Sequence, residues 1–399
     1  MTVTQSFLGD ISSVITKGTT PTSVGFDFSE SGVPFLRVQN LAGGAVDLTK
    51  TPLFISTATH KALSRSTIYP GDVLISIAGT IGRAAVVSPE DPAEMNSNQA
   101  VGIIRLKNGV NRRYILHWLQ SNEAQSQIRG AQVTGTITNL SLTELRKLQI
   151  PLPPLAEQKR IAAILDAADA LRTKRREALA QLDALLQSTF LTLFGDPVTN
   201  PMGWKKCCLG DLFVVIKNGA NVVQAEADSG EWAVSRIETI WNGTIDSDRV
   251  KWTTADPSLL ATHRIQVGDI LFSHINSPEH IAKTAIYMGE PKILIHGINL
   301  LRMCVDRKFV DPIWMIHFLK APTTRSHFRT RCKKAVNQAS LNQTDIKTFD
   351  AYLPPLPLQQ KFAAIVESIE RQKTTQRAHL AELDALFAAL QHRAFRGEL

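Results

Sequence analysis

No stretch of the sequence approaches the roughly 18 consecutive uncharged apolar residues that a membrane-spanning helix needs. The opening MTVTQSFLGDISS lacks the basic-then-apolar order of a secretory signal. Cysteine is scarce, limited to Cys207, Cys208, Cys304 and Cys332. None has CxxC spacing and two are adjacent, which suits neither a disulfide framework nor a zinc site. These absences set the expectation of a soluble, cytoplasmic protein. Signatures of catalysis are missing as well. There is no GxxxxGK[ST] loop to cradle a nucleotide phosphate. No Asn/Asp-Pro-Pro-aromatic tetrapeptide of the amino-methyltransferase type occurs, because Asp196-Pro197-Val198 and Asn200-Pro201-Met202 lack the second proline. Glu157-Gln158-Lys159 has the ExK spacing of a metal-dependent nuclease, but no aspartate lies between Asp91 and Asp166 to partner it. In the first turn of a helix Glu157 simply favours the dipole. The histidines form no HxxxH-type cluster, so each is expected to serve at the surface or in a core.

What is present is a chain of 399 residues, enough for two or three domains. Its 44% hydrophobic and 20% charged content is globular. The net charge is +8 and the isoelectric point about 9.3. A basic balance suits a polyanionic partner, because each phosphate neutralised releases condensed counterions. Many basic proteins bind nothing acidic, so charge leaves both readings open.

Internal self-similarity is more informative. Pro153–Leu165 reads PPLAEQKRIAAIL and Pro354–Val366 reads PPLPLQQKFAAIV, an offset of 201 residues. The same offset relates Leu182-Asp183-Ala184-Leu185 to Leu383-Asp384-Ala385-Leu386, Phe194 to Phe395, and Leu8-Gly9-Asp10 to Leu209-Gly210-Asp211. Gly71-Asp72-Val73-Leu74 matches Gly268-Asp269-Ile270-Leu271, and Arg105 matches Arg302, at an offset of 197. The anchors keep the same order, so the chain is two diverged copies of one unit. Segments between anchors share mainly their apolar pattern, as in related scaffolds with surfaces tuned to different targets.

Each copy reads as an α+β globular part followed by a long helix. VPFLRVQNL from Val33, GDVLISIAGTIGRAAVV from Gly71 and QAVGIIRL from Gln99 are rich in β-branched and apolar residues and predict strands. Asn111–Arg129 predicts one helix packing on the sheet. In the second copy EWAVSRIETI, GDILFSHI and KILIHGINLLRMCV predict strands, and 311–331 a helix. Two consecutive prolines define a sharp entry into each long helix. Leu155–Phe190 spans about 54 Å at 1.5 Å per residue. A lone amphipathic helix of that length cannot bury its stripe, which predicts that the two pair antiparallel. The pairing seam is expected at Ile161, Ile164, Leu171, Leu182 and Leu185, and at Phe362, Ile365, Ile369, Leu383 and Leu386. Both seams are polar in the middle, Arg172–Glu177 and Glu370–His379. A solvated stretch, a break and a docking surface all remain open there.

LPPLAEQKRIAAIL, a long helix, and then LFGDPVTNPMGW from Leu193 to Trp204 resemble the central conserved region of type I restriction–modification specificity subunits. PPLPLQQKFAAIV resembles the second such region. The Gly-Asp-apolar strands and the approaches Leu140-Ser141 and Leu341-Asn342 also resemble that family. The resemblance covers essentially the whole chain. It implies target-recognition domains at 1–150 and 197–351, with spacer helices at 151–196 and 352–399. The helices would form an antiparallel pair with the domains at opposite ends, about a pseudo-two-fold axis. Each domain would read one half of a split double-stranded DNA site, and the helices would set the gap. The subunit would have no catalysis and no cofactor of its own. It would dock two modification subunits carrying S-adenosylmethionine, with restriction subunits using ATP and magnesium as further partners. One departure is Gln359-Gln360 where the first copy has Glu157-Gln158-Lys159, so helix-start contacts are expected to differ between copies. The alternative is a protein-interaction scaffold built on a helical coiled coil, which would show no salt-dependent DNA binding.

Base reading needs donors and acceptors that reach a groove. In the first domain the candidates are Lys17, Thr19 and Thr20, then Arg37, Gln39 and Asn40. Thr80 and Arg83 follow in the Gly-Thr-Ile-Gly turn, whose glycines permit close approach. Asn96, Asn98, Gln99, Thr134 and Thr136 complete the set. In the second they are Lys217, Asn218, Ser235, Arg236, His274, Asn276, His280, Asn337 and Gln338. The acid-free run Arg325, Arg329, Arg331, Lys333 and Lys334 is the phosphate candidate, with a solvated helix face as its plain alternative. Arg172, Lys174, Arg175 and Arg176 either touch spacer DNA backbone or face water or a partner subunit.

Overall fold

The computed structural model describes residues 4–132, 139–226, 230–241, 243–334 and 338–399. It divides into two compact units, Met1–Glu177 with Ala378–Leu399, and Ala178–Arg377. Each unit therefore contains one globular domain, part of the helix that follows it, and part of the other long helix.

In the first unit a six-stranded sheet runs in the order Ser12–Lys17, Val101–Leu106, Val73–Ser76, Ala84–Val86, Gly44–Val46, Leu41–Ala42. Only the contact of Gly44–Val46 with Ala84–Val86 is parallel within this sheet. The apolar run VLIS has no polar alternation because both faces of its strand are covered. Val73 and Ile75 point into a core with the helices, and Leu74 points into a second core with Leu36, Met95 and Ile103. The second unit repeats this. Ile270 and Phe272 face the helices and Leu271 the other side, in a sheet ordered Phe213–Asn218, Leu300–Val305, Ile270–Ser273, Thr284–Ile286. Full burial of each such side chain is worth about 1.5–3 kcal/mol.

The glycine and aspartate of each Gly-Asp anchor have separate roles. Gly71 and Gly268 both adopt φ 92°, a left-handed turn that favours glycine. Asp72 is 2% exposed, accepts the Tyr69 N–H at 2.9 Å, and receives Arg105 Nε and Nη2 at 2.8 and 2.7 Å. Asp269 accepts the Gln266 N–H at 2.8 Å and Arg302 Nε at 2.6 Å. Hydrogen bonding to Asp72, opposed by burial, raises the Arg105 pKa above its ordinary value.

The single helix expected after each sheet is broken in two. Arg112–Leu119 is followed by Asn122–Gly130, and Pro312–Lys320 by Pro322–Arg331. Ser121 Oγ accepts the Ala124 N–H and starts a new helix, whereas Pro322 cannot continue the preceding one. Short antiparallel pairs, Gln5–Phe7 with Gln149–Pro151 and Lys205–Cys208 with Asp350–Leu353, close each domain just before its Pro-Pro corner.

The long helices are continuous over Leu155–Phe194 and Leu356–Arg396. Gly195 and Gly397, both at φ 74°, follow their last turns. Downstream, Asp196 Oδ1 accepts the Val198 and Thr199 N–H groups, and Trp204 Nε1 donates to Phe194 O at 2.8 Å. The LFGDPVTNPMGW motif is thus a self-bonded turn.

Segments of the two helices lie antiparallel in each unit. In the first, Arg160 donates to Leu399 O and Arg172 to Asp384, while Phe387, Ala394 and Phe395 share a core with Ile161, Ala162, Leu165 and Ala168. In the second, Leu186, Phe190 and Phe194 share a core with Phe362, Val366 and Ile369. The seam differs in phase from expectation. Ile161, Phe362 and Ile369 are buried, and Ile164, Leu182, Ile365 and Leu383 are half-buried. Leu171, Leu185 and Leu386 are 54%, 48% and 50% exposed. The shift is constant and present from the first turn: every second inward position falls one residue later than expected, at Leu165, Arg172 and Leu186 and at Val366, Lys373 and Phe387, while Ile161, Ala168, Phe362 and Ile369 keep the first. Steps of four and three residues still average the 3.5 of a paired helix.

The polar middles are therefore neither breaks nor fully solvated. Arg172 Nε donates to Asp384 Oδ1 at 2.6 Å and Nη1 to Asp169 at 2.8 Å, with its guanidinium 4.3 Å from the centre of the Phe387 ring. Arg176 adds a 3.0 Å bond to Asp384. Lys373, 6% exposed, contacts Asp183 at 2.7 Å and Glu370 at 2.6 Å. Among the described residues no helix is long and apolar enough to cross a membrane.

Candidate nucleic-acid interface

In the first unit Lys17 is exposed at the end of its strand, and the backbone beyond it is fastened to the segment before Val101–Leu106. Gly18 N–H donates to Val101 O at 3.1 Å, Thr19 N–H to Ser97 O at 2.8 Å, and Thr20 Oγ1 to Gln99 Oε1. A Cβ at Gly18 would lie 2.1 Å from the Ser97 carbonyl oxygen, so only glycine fits. This gathers Lys17, Thr19, Thr20, Asn98 and Gln99.

Two expected base readers are buried instead. Asn96 Oδ1 accepts Ser66 Oγ–H and Ser97 N–H, and its Nδ2 donates to Leu63 O and meets His60 Nδ1. Asn40 Oδ1 accepts the Arg37 N–H at 2.8 Å, and its Nδ2 donates to Asp47 O and Lys50 O. Both amides are occupied inside the fold, where a polar cluster read as surface is a set of turn bonds. Gln39 is exposed and Arg37 half-buried.

Thr80 and Arg83 are exposed on the turn after Val73–Ser76. Ser76 Oγ donates to Thr80 O at 2.5 Å and accepts the Arg83 N–H at 2.8 Å, while Gln125 Nε2 donates to Gly82 O at 3.0 Å. Thr134 and Thr136 lie outside the described residues, as does Asn337 in the second copy.

In the second unit the corresponding loop is fastened the same way. Ala220 N–H donates to His296 O at 2.8 Å, and a Cβ at Gly219 would lie 2.1 Å from Gly297 O. Lys217 and Asn218 are exposed beside it, with Lys217 Nζ donating to Thr262 O and Asn218 Oδ1 accepting Gln343 Nε2. Ser235 is buried, its Oγ accepting the Gly297 N–H at 3.2 Å. Arg236, half-buried, pairs with Glu238 at 3.2 Å, and its N–H donates to Thr239 Oγ1. His274 is 7% exposed, and burial lowers its pKa.

The remaining candidates converge on one small sheet. Ile275–Asn276 pairs with Ala339–Ser340, which pairs with Lys333–Lys334. Asn276 Nδ2 donates to Ser273 Oγ at 3.0 Å, and His280, Lys333 and Gln338 are exposed. Arg329 is exposed and its Nη2 donates to Glu279 O at 2.5 Å, which ties the helix Pro322–Arg331 to this edge. Arg331 is exposed near the Phe349 ring. Arg325 is half-buried, and desolvation followed by the Arg329 charge lowers its pKa.

Lys283 joins this group and was missed in the sequence. Burial, then the Arg325 charge, lowers its pKa. The 197-residue offset leads from Arg83 to His280 instead, and the match comes from the backbone. Lys283 O accepts the Ser273 N–H at 2.8 Å as Arg83 O accepts that of Ser76, so Lys283 is the counterpart of Arg83. Arg129, exposed near the end of Asn122–Gly130, likewise matches Arg329. Like-charged groups close enough to depress one another are stabilised by an anion, and loop and helix-end cations of this kind suit phosphate. Among the described residues no group of three or more His, Cys, Asp or Glu could hold a metal.

The family model "Type I restriction modification DNA specificity domain" matches residues 2–181 and again 201–385. The putative type I restriction enzyme MjaX specificity subunit of Methanocaldococcus jannaschii is 37% identical over 171 residues, 43% of this chain and 40% of that protein. The chain thus spans well under two thirds of that relative. The type I restriction enzyme EcoKI specificity subunit of Escherichia coli is 24% identical over 92% of this chain and 82% of its own. The S subunit of a type I restriction-modification system from M. genitalium shares the fold, with a TM-score of 0.54 at 15% identity over 98% of this chain and 96% of that one. With two matches in tandem covering both globular domains, the chain belongs to the type I restriction modification DNA specificity family.

Proposed function

We propose that each globular domain reads one half of a bipartite double-stranded DNA site, and that the two long helices set the gap and dock two modification subunits. The observation that carries this is the pairing of a matched scaffold with unmatched loops. Gly-Asp turns and buried Asp–Arg pairs recur in both copies, whereas the exposed polar sets around Lys17, Arg83 and Gln99 and around Lys217, His280 and Lys333 differ. In this reading the chain performs no chemistry. S-adenosylmethionine belongs to the modification subunits, and ATP and magnesium to restriction subunits where these join.

Mapping methylated adenines in DNA from cells expressing this chain with its modification partner tests the proposal. A split motif with one fixed gap is expected. Exchanging residues 201–350 for those of another family member should change one half-site and leave the other intact. A wholly new or an unchanged target defeats the modular reading.

A further inference from the structure

Gln158 and Gln359 stand 201 residues apart, in the first turn of each long helix, and are 2% and 0% exposed. Their neighbours differ, Glu157 and Lys159 against Leu358 and Gln360, yet two of the bonds are the same. Gln158 Oε1 accepts the Asn111 N–H at 2.9 Å, and Nε2 donates to Pro153 O at 2.8 Å. Gln359 Oε1 accepts the Asp311 N–H at 2.9 Å, and Nε2 donates to Pro354 O at 2.8 Å and Phe309 O at 3.0 Å. The helix-start contacts differ at the flanks, as expected, since Glu157 pairs with Arg160 where the second copy has Leu358, but the two glutamine bonds to the N-cap amide and the first proline carbonyl are shared.

Asn111 and Asp311 are the N-caps of the helices Arg112–Leu119 and Pro312–Lys320, so each is already committed to its own domain. Each glutamine thus ties three segments at one corner: the start of the long helix, the Pro-Pro bend and a helix of the globular domain. A longer or charged side chain would leave one of these buried backbone groups unpaired.

We infer that Gln158 and Gln359 are positioning residues that fix the angle between each recognition domain and its helix, and so enforce a single gap length. The inference rests on the reading proposed above. Its lever is short but sufficient. A rotation of about 10° at the corner, carried about 26 Å across a domain, displaces the far surface by about 4.5 Å, more than the roughly 3.4 Å step between bases. A loosened corner therefore admits half-sites one base pair nearer or farther, while the residues that face the bases are untouched.

The test is adenine-methylation mapping with the full chain and its modification partner, comparing wild type with Gln158→Leu, Gln359→Leu and the volume-retaining Gln158→Met and Gln359→Met. The same two half-sites are expected in every variant. Discrimination between the native gap and gaps one base pair longer or shorter should fall about tenfold, a difference of about 1.4 kcal/mol. Undiminished gap strictness, or a changed half-site, overturns the inference. If every variant loses methylation altogether, hydrogen exchange in the wild-type complex decides. Slow exchange at the Asn111 and Asp311 amides supports the lock, and exchange as fast as in exposed loops overturns it. A wild-type chain giving no bipartite site would instead sink the function proposed above, an outcome separate from these.

Discussion

Arg172 and Asp384 form a 2.6 Å ion pair between the two long helices, and the residues 201 positions from each, Lys373 and Asp183, form its counterpart at 2.7 Å. The internal repeat thus extends to the interhelical contacts. Asp183→Ala should leave Lys373 buried with Glu370 as its remaining carboxylate, costing about 1–2 kcal/mol. Lys373→Met, which removes the charge and fills the space, should cost less. Urea unfolding of both variants checks the order, and a larger loss for the methionine variant would contradict the paired arrangement.

The two Asp–Arg anchors should differ in strength. The Arg302 side chain is 17% exposed and Arg105 is 34% exposed, so an unpaired Arg302 is the more poorly solvated. Asp269→Ala should therefore destabilise by about 3 kcal/mol and Asp72→Ala by about 2 kcal/mol. Thermal unfolding of each variant gives the comparison, with the reverse order as the refuting result.

His317 supplies a pH dependence. It lies against Phe190 and Phe362, and burial, then the charges of Lys320 and Lys373, pushes its pKa down to about 3. A depressed folded value means the stabilising contribution is complete above the unfolded value near 6.5 and declines as pH falls towards 3. The slope attributable to this residue is about 1.4 kcal/mol per pH unit. His317→Phe should flatten stability between pH 6 and about 4 relative to wild type. An unchanged difference between the two proteins across that range would show that His317 does not titrate as the geometry requires.

Arg329 and Lys333 should act on affinity rather than on sequence choice. If each meets one phosphate, Arg329→Ala and Lys333→Ala should each reduce the log–log salt slope of DNA binding by about 0.9. Titrations at several salt concentrations measure this. A slope equal to that of wild type would remove the residue from the interface.

The repeat, the Pro-Pro entries and the apolar strands were legible because each is written in local residue type. Pro322 and Ser121 also marked their helix breaks in plain sight, but apolar periodicity across them suggested one helix. The phase of the helix seam was not legible, since Ile164 and Leu165, Ile365 and Val366, and Leu185 and Leu186 are adjacent apolar pairs, and either member fits a 3.5-residue repeat. Asn40, Asn96 and Ser235 could not be told from surface readers, because an amide or hydroxyl looks the same whether its partner is a base or a backbone carbonyl. Lys283 could not be matched to Arg83 by offset, since the 197-residue step of the neighbouring anchor leads to His280, and only the backbone bonds of the two turns align them.

Gly18 and Gly219 lack room for even one added carbon, because each presses directly on a neighbouring carbonyl. A loop held backbone to backbone does not depend on its own side chains for its position. Lys17 and Thr19 can be exchanged without moving the mount that carries them. New specificities can thus arise at such a loop by substitution around a fixed glycine, with no refolding of what lies beneath.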